Sequence, residues 1–289
     1  YSLDPGDPYA LDDDKGDIVL TEEESKLGIS ENQARWRRAK IARMAGRDYE
    51  QRRLMFLQEY PEDDITCFTV SGNPYFSVGH IDEAVRSSRP VLRSEKEGAL
   101  TIWQMPRVGE QYIVGADPGG SSAAAHSRDS RDTKDYCAAV VIDSRGTHVA
   151  SLHGRWDTRQ FADELAEVGK MYNDACLAVE SGPYGDGVIL LLSVYLKYEN
   201  LFADKDPYTG KVISLGKRTS WQSKPAMADA FKEMFESGTF ATFDTELLGE
   251  MRNFHRIPSS SGQLKLGAVA GHDDRVMAAV LAAWVWTNG

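Results

Sequence analysis

Cysteine is scarce in this sequence, and long apolar stretches are absent. The 289 residues include three cysteines, Cys67, Cys137 and Cys176, which are odd in number and far apart. A disulfide framework or a zinc site is therefore not expected, and a reducing cytosol fits. The longest apolar stretches, residues 187–192 and 276–286, fall well short of the roughly 20 residues that a membrane span requires. With no basic, apolar signal segment at its start, the sequence predicts a soluble globular chain without a membrane partner.

A nucleotide-binding phosphate loop is also missing. Residues 210–218 resemble one superficially, but five residues separate Gly210 from Gly216, and Arg218 stands where a metal-binding hydroxyl is needed. The motif requires four residues between its glycines, so we expect no ATPase activity from this stretch. The chain begins at Tyr1 rather than at Met, which suggests a portion of a longer protein.

The net charge is −11, from 33 basic and 44 acidic residues, and by itself it argues against a nucleic-acid partner. The charges are unevenly distributed, however, because residues 1–24 hold nine acids and one lysine. Local fields decide whether a phosphate backbone can approach. A basic cluster further on has two interpretations. It is either a solvated helix face, or a surface that contacts DNA or a neighbouring domain. It consists of Arg35, Arg37, Arg38, Lys40, Arg43, Arg47, Arg52 and Arg53.

Three segments are expected along the chain. With 42% hydrophobic residues, the sequence can bury one large core beside a smaller appendage. Residues 1–20 are rich in Asp, Pro and Gly and predict an extended or poorly ordered arm. Residues 21–106 predict a helical subdomain, because Thr21 with Glu24 and Ser30 with Gln33 fit the capping box. The second box opens a helix to about residue 45, and residues 107–289 form the large domain.

In the large domain, the pattern predicts strands over residues 112–116, 136–143 and 147–154, then a helix capped by Asp157 and a strand over residues 175–180. A long helix to about residue 197 follows. This is the element order of the ribonuclease H-like (RuvC-like) fold, an α/β fold with a mixed sheet flanked by helices. In that order the first and fourth strands are neighbours, so Asp117 and Glu180 should lie at adjacent strand ends.

The rest of the large domain predicts a helix capped by Ser223, a short strand over residues 240–243, a helix over residues 245–254 and a hairpin over residues 256–268. The final helix starts with Asp273 and Asp274 and continues through an Ala-rich body. Acids in a first helical turn are stabilised by the helix dipole. A capping role is therefore the ordinary explanation for this pair.

Together, the acids predict a metal centre. Small residues flank each of them, namely Gly115, Gly119, Ser181, Gly182 and Gly271, which would leave space for a ligand. Mg²⁺ prefers carboxylates, waters and substrate phosphate, and clustered acids without a cation repel one another. Two Mg²⁺ or Mn²⁺ ions could drive phosphodiester hydrolysis, with Asp117 shared between them, Glu180 completing one site and Asp274 the other. Asp273 is either a cap or a fourth ligand, and His272 either positions water or phosphate or is structural.

Several short motifs, taken in order, resemble the large terminase subunit of tailed bacteriophages, in its C-terminal nuclease half and the segment before it. The resemblance spans nearly the whole chain. The matching pieces are Gly115-Ala116-Asp117-Pro118-Gly119, Lys134-Asp135-Tyr136, Val179-Glu180, Lys224-Pro225 and Gly271-His272-Asp273-Asp274-Arg275, with Leu20-Thr21-Glu22-Glu23-Glu24, Gln33-Ala34-Arg35-Trp36-Arg37-Arg38 and Gln58-Glu59-Tyr60-Pro61 upstream.

The resemblance implies a metal-dependent endonuclease that cuts concatemeric double-stranded DNA when packaging starts and ends, in the host cell cytoplasm. It further implies an ATPase half before Tyr1, and the small terminase subunit and the procapsid portal protein as partners. Asp274 is favoured over Asp273 as the third ligand. The candidate DNA contacts are Arg37, Arg38, Lys134, Arg218 and Lys224.

Two other classes of function stay open. A junction resolvase or a transposase core would have the same fold and use the same three acids. A non-enzymatic protein that docks on the portal, with a vestigial site, would also carry these motifs.

Overall fold

The structure is a computed structural model, and it divides into two compact units, Tyr1–Asn73 and Pro74–Gly289. Each unit is described by itself. The residues described are 19–21, 24–25, 27–44, 49, 52–53, 56, 60, 74–119, 136–206, 208–220, 222–258, 264–268 and 272–289. Most of the predicted arm of residues 1–20 lies outside the described residues, and so does the candidate DNA contact Lys134.

The first unit contains helix α1, Glu31–Arg43, with Ser30 as its N-cap. Ser30 and Gln33 exchange side-chain and backbone hydrogen bonds, as the predicted capping box requires. Thr21 and Glu24 exchange the same pair of bonds. The helix ends two residues before the expected position, where the Met44 N–H bonds the Ile41 carbonyl. Ile41 packs with Phe56 in a small apolar cluster.

The second unit opens with helix α2, Val78–Arg86, strand β1, Arg93–Glu95, a 3₁₀ turn at Lys96–Gly98 and strand β2, Leu100–Ile102. A domain boundary is expected near Pro106, whereas the chain divides into compact units between Asn73 and Pro74. The difference has a physical cause: β2 pairs antiparallel with the strand His148–Gly154, so it is part of the main sheet. Because these strands are short and weakly periodic, the sequence did not indicate that they pair with the main sheet.

The main sheet is built around strand β3, Tyr112–Asp117, with β4, Cys137–Asp143, β5, His148–Gly154, and β6, Cys176–Ser181. Helix α3, Thr158–Met171, joins β5 to β6 and begins at a capping box of Asp157 with Gln160. The seven strands lie in the order β1-β2-β5-β4-β3-β6-β9, where β9 is Lys217–Arg218. Strand β3 pairs antiparallel with β4 and parallel with β6. The predicted mixed sheet, with its first and fourth strands adjacent, is confirmed.

The helix expected to continue to about residue 197 is shorter and changes type. Helix α4, Gly185–Leu190, passes into a π-helical turn over Leu191–Tyr195, where the Leu196 N–H reaches back to the Leu191 carbonyl. Lys197 then adopts φ of 51°, which ends the helix. A separate hairpin follows, of β7, Ala203–Lys205, and β8, Val212–Leu215.

The remaining elements are helix α5, Ser223–Glu236, helix α6, Thr245–Asn253, the hairpin of β10, Phe254–Pro258, and β11, Leu264–Ala268, and helix α7, Asp274–Asn288. Two expectations are wrong here. Gln222, not Ser223, occupies the N-cap of α5, and Ser223 instead bonds Ser220. The expected strand over residues 240–243 is a single bridge from Ala241 to Thr147.

The two faces of the sheet bury separate apolar cores. One core contains Phe161, Leu165 and Val168 of α3. The other contains the buried faces of α5, α6 and α7, including Phe231, Leu247 and Val280. Strand β4 is buried along its whole length, since both faces are covered. Within the described part of the chain, no helix combines the length and apolar character that crossing a membrane would need.

Candidate active site

Asp117 and Glu180 are brought together by the register of β3 and β6. The last residue pair in the register of these parallel strands is Ala116 with Val179, so the two acids are the next residues on neighbouring strands. Neighbouring strands lie about 4.8 Å apart, and paired side chains project to the same face. Ala116 and Val179 both face the core that contains α3. The side chains of Asp117 and Glu180 therefore project to the opposite face, the one that α7 covers.

Helix α7 lies unusually close to β3 because Gly115 has no side chain. A Cβ at residue 115 would lie 2.1 Å from the Ala278 carbonyl oxygen and 2.4 Å from the Ala282 N. Asp274 precedes Ala278 by one helical turn and shares its face. Asp117 follows Gly115 by two residues and shares its side of the strand. The contact of Gly115 with the two alanines therefore sets Asp274 beside the end of β3.

This finding corrects one expectation about the small residues. The space at Gly115 is filled by α7, and a Cβ at Gly119 would lie 2.2 Å from the Tyr136 carbonyl oxygen. Gly119 also has φ of 62°, a conformation that favours glycine. These two glycines permit close packing and leave no room for a ligand. At Gly182, by contrast, a Cβ would meet nothing within 4 Å.

Asp273 and His272 lie at the start of α7, beside Asp274. Asp273 occupies the N-cap position, but its side chain makes no capping hydrogen bond. Its Oδ2 lies 3.7 Å from the Lys224 Nζ. The His272 side chain is 52% exposed, and its Nδ1 lies 3.7 Å from the Asp274 Oδ2. Asp273 and His272 therefore both lie next to Asp274.

The electrostatics show that the carboxylates share one environment. Asp117 keeps partial contact with solvent, yet desolvation raises its pKa well above the usual value, and the charges of Glu180, Asp274 and Asp273 raise it further. A hydrogen bond from the Gly119 N–H, at 3.2 Å, opposes this. Desolvation also raises the pKa of Glu180 to about 6, with the Lys224 ammonium acting in the opposite direction.

The donor set fits a hard divalent cation. It offers carboxylate oxygens only, which Mg²⁺ and Mn²⁺ prefer, and the mutual repulsion that raises the pKa of Asp117 is the repulsion that a cation would relieve. The side chains are not already closed around a central point: among the residues that the structure describes, no three His, Cys, Asp or Glu side chains form a ready metal-binding group. The fit is therefore one of donor chemistry and charge.

Two of the basic candidates lie beside these acids. Lys224, in the first turn of α5, faces Asp273. Arg218 is an exposed residue of β9, and its backbone pairs with Ser181, the residue after Glu180. Lys134 lies outside the described residues.

Arg37 and Arg38 belong to the first unit, and the structure argues against the DNA contact expected of them. Arg37 is 2% exposed. The guanidinium of Arg38 makes two hydrogen bonds to the Glu24 carboxylate, at 2.9 and 2.5 Å. The hydrogen bonds lower the pKa of Glu24 to about 2. Arg37 is therefore buried within its own unit, which argues against a phosphate contact through it, and Arg38 is paired with Glu24.

Sequence reasoning missed Glu250 and an aromatic stack. The Glu250 carboxylate, from α6, contacts the start of α7, and no local pattern signals that contact.

The Tyr136 ring stacks on His153 with a centroid distance of 4.6 Å, and its centroid lies 5.1 Å from that of the His272 ring in an edge-on arrangement. Arg155 lies 4.4 Å from the centre of the Tyr136 ring. His153 pairs with Ala138 across the hairpin, so Tyr136, two residues before Ala138, projects to the same face.

The sheet order, together with acids at the ends of β3 and β6 and at the start of α7, defines a ribonuclease H-like domain with a carboxylate-lined edge. Solved structures of the large terminase nuclease from thermophilic phage G20c are similar to it. The form with bound magnesium is 22% identical with a TM-score of 0.54, and the similarity covers 73% of this chain and 97% of that one. The cobalt-bound form is 19% identical with a TM-score of 0.52, covering 71% and 96%.

A third structure of the same phage nuclease is 20% identical with a TM-score of 0.50. No protein-family model and no curated protein matches the chain. The chain thus has the fold of a large terminase nuclease domain, and the resemblance predicted from the sequence is confirmed for the fold.

Proposed function

We propose that this protein is a metal-dependent endonuclease of a viral DNA-packaging motor. The observation that carries the proposal is the convergence of Asp117, Glu180 and Asp274, from two strand ends and a helix start, on one face of one edge of the sheet. The magnesium and cobalt bound in the similar phage nuclease support a divalent cation as cofactor. The shared fold supports DNA as substrate.

Two divalent cations bound here would supply an activated water and stabilise the leaving oxygen. Asp117, on whose pKa the charges of Glu180 and Asp274 both act, would be the shared ligand. Glu180 would hold one cation and Asp274 the other, with Asp273 as an additional ligand of the second. Because burial and mutual charge raise the pKa values of Asp117 and Glu180, these carboxyls release protons when they bind the cations. Metal affinity therefore rises with pH.

The basic side chains beside the acids support a path for the DNA backbone. Lys224 offers a compact ammonium next to Asp273 and Glu180. Arg218 extends from the edge of the sheet one residue beyond the strand position paired with Glu180. We propose that both contact phosphates that flank the scissile bond. His272, exposed beside Asp274, is the side chain proposed to position water or phosphate.

The wider role follows from the same resemblance. The nuclease would cut concatemeric double-stranded DNA at the start and end of packaging, in the host cell cytoplasm, together with the small terminase subunit and the portal protein. ATP hydrolysis would belong to a separate half of the large subunit.

A plasmid-nicking assay tests the proposal. Supercoiled DNA is incubated with Mg²⁺ or Mn²⁺, with and without EDTA, and Asp117→Ala should abolish a cleavage that EDTA also abolishes. Asp163→Ala is the matched control, because Asp163 is an exposed acid of α3 whose ion pair with Arg159 is a surface pair of little energetic weight. Cleavage by Asp117→Ala at the wild-type rate, with its fold verified by circular dichroism, would exclude the proposed site.

The same preparation separates the rival functions. A strong preference for four-way junctions over linear duplex would favour a resolvase or transposase core. Binding of Mn²⁺ without cleavage of any DNA substrate would favour a portal-docking protein with a vestigial site.

A further inference from the structure

Glu250 holds the first turn of α7 from a neighbouring helix. Its Oε2 accepts hydrogen bonds from the backbone N–H groups of Arg275, at 2.9 Å, and Val276, at 3.3 Å. Its Oε1 accepts a hydrogen bond of 2.8 Å from the Arg275 Nη1. The side chains of the pair are 11% and 17% exposed. The contact is therefore mostly buried and joins α6 to both the backbone and a side chain of α7.

Those N–H groups are the ones that an N-cap side chain usually satisfies. The first N–H groups of a helix have no partner within the helix, and an Asp at the N-cap ordinarily accepts from the second or third of them. Asp273 occupies that position in α7 but makes no such bond. Glu250 therefore caps α7 in place of Asp273, and the Asp273 carboxylate lies 3.7 Å from the Lys224 ammonium.

We propose that Glu250 is a positioning residue for the metal centre: by capping α7 from α6, it keeps Asp273 out of the cap and fixes the first turn that carries Asp274. The inference rests on the proposed nuclease function. The contact of Gly115 with Ala278 and Ala282 sets how closely α7 approaches the sheet, whereas Glu250 sets where the first turn of the helix begins. Both are needed to hold two consecutive acids toward the end of β3.

Without Glu250, the side chain of Asp273, which occupies the N-cap position, would become the acceptor for those N–H groups. This is the capping alternative that the sequence leaves open for Asp273. Asp273 would then be withdrawn from the cluster, and Asp274 would lose the constraint on its backbone. Residues that orient ligands in this way commonly change metal affinity by 10- to 100-fold when they are replaced.

The test uses Glu250→Gln in the whole chain, with Glu246→Gln as the matched control. Glu246 lies one turn earlier on the same helix and is exposed. Three quantities are measured: the Mn²⁺ dissociation constant by electron paramagnetic resonance, amide hydrogen exchange at Arg275 and Val276, and the melting temperature without metal. We expect Glu250→Gln to weaken Mn²⁺ binding by about 10- to 100-fold and to speed exchange at both amides, with Glu246→Gln unchanged.

A double-mutant cycle separates positioning from general stabilisation. If Glu250 acts by keeping Asp273 free, its replacement should matter less when Asp273→Asn is already present, so the two effects on Mn²⁺ affinity will not add. A variant with a lower melting temperature but wild-type Mn²⁺ affinity would overturn the inference. If Glu250→Gln does not fold, Glu250→Asp keeps the charge but withdraws it by one methylene, and wild-type Mn²⁺ affinity in that variant would overturn the inference equally.

The outcomes also distinguish the two proposals. If the unaltered protein binds no Mn²⁺, or if Asp117→Asn leaves binding intact, the nuclease site and the role of Glu250 both fail. If Asp117→Asn abolishes binding and Glu250→Gln has no effect, only the role of Glu250 fails.

Discussion

Gly115→Ala should damage the proposed site without touching any of its carboxylates. The added Cβ would lie 2.1 Å from the Ala278 carbonyl oxygen and 2.9 Å from the Ala282 Cβ. Ordinary contacts begin near 3.4 Å, and the nearest obstacle is backbone, so no rotamer change relieves the clash. Helix α7 must move outward by about 1 Å, and overpacking of this kind costs about 1–3 kcal/mol.

The displacement carries Asp274 away from Asp117. A misplacement of about 1 Å can lower a catalytic rate by roughly 100-fold, which is far more than the loss of stability alone would produce in a protein that stays folded. In a unit of this size, the stability loss corresponds to a fall in melting temperature of about 2–12 °C. The assay is plasmid nicking with Mn²⁺, combined with thermal unfolding of the same samples.

Gly249→Ala is the control for this experiment. Gly249 lies within α6, and a Cβ there would meet nothing within 4 Å, so alanine should stabilise the helix by about 0.5–1 kcal/mol and leave nicking unchanged. Wild-type nicking and an unchanged melting temperature in Gly115→Ala would refute the close approach of α7 to β3 as the determinant of the site.

Three further predictions concern charge. The folded state raises the pKa of Asp117 and also raises the pKa of Glu180, the latter to about 6. The folded state therefore binds protons more tightly than the unfolded chain, and for Glu180 the metal-free protein should lose stability as the pH rises from about 4.5 to 6. For Glu180 the loss of folding stability amounts to about 2 kcal/mol. Asp117→Asn should therefore raise the melting temperature at pH 7 without metal, and a lower melting temperature would contradict the predicted direction of the effect. In the first unit the dependence of stability on pH is opposite. Glu24, with its pKa lowered to about 2, stabilises the fold above about pH 4.5 and loses that contribution as the pH falls toward 2. Acid titration of the wild type and of Glu24→Gln, followed by circular dichroism, would test this prediction. Replacing Arg218 and Lys224 by Ala should weaken DNA binding at low salt and reduce the slope of log K against log salt by about 2; an unchanged slope in fluorescence anisotropy titrations would exclude them from the phosphate path.

The elements nearest the candidate site were predictable because their signals are local. Strand β3 ends on Asp117, and β6 carries Glu180 near its end, as alternation and turn residues indicated. The cap of α3 at Asp157 was also as predicted. Where the signal is weak the prediction was incomplete: the pairing of β2 with the main sheet was not predicted, because three residues of alternating burial carry too little periodicity.

The amino-acid sequence by itself determined which strands end on or near acids, where most helices begin, and in what order strands and helices follow one another. These features depend on side chains a few positions apart. Only the tertiary structure decided that Arg37 turns inward, that the space at Gly115 is filled by a helix, and that Glu250 takes the cap from Asp273. Each of these depends on a partner distant along the chain, and a contact between distant segments leaves no periodic trace in either segment alone.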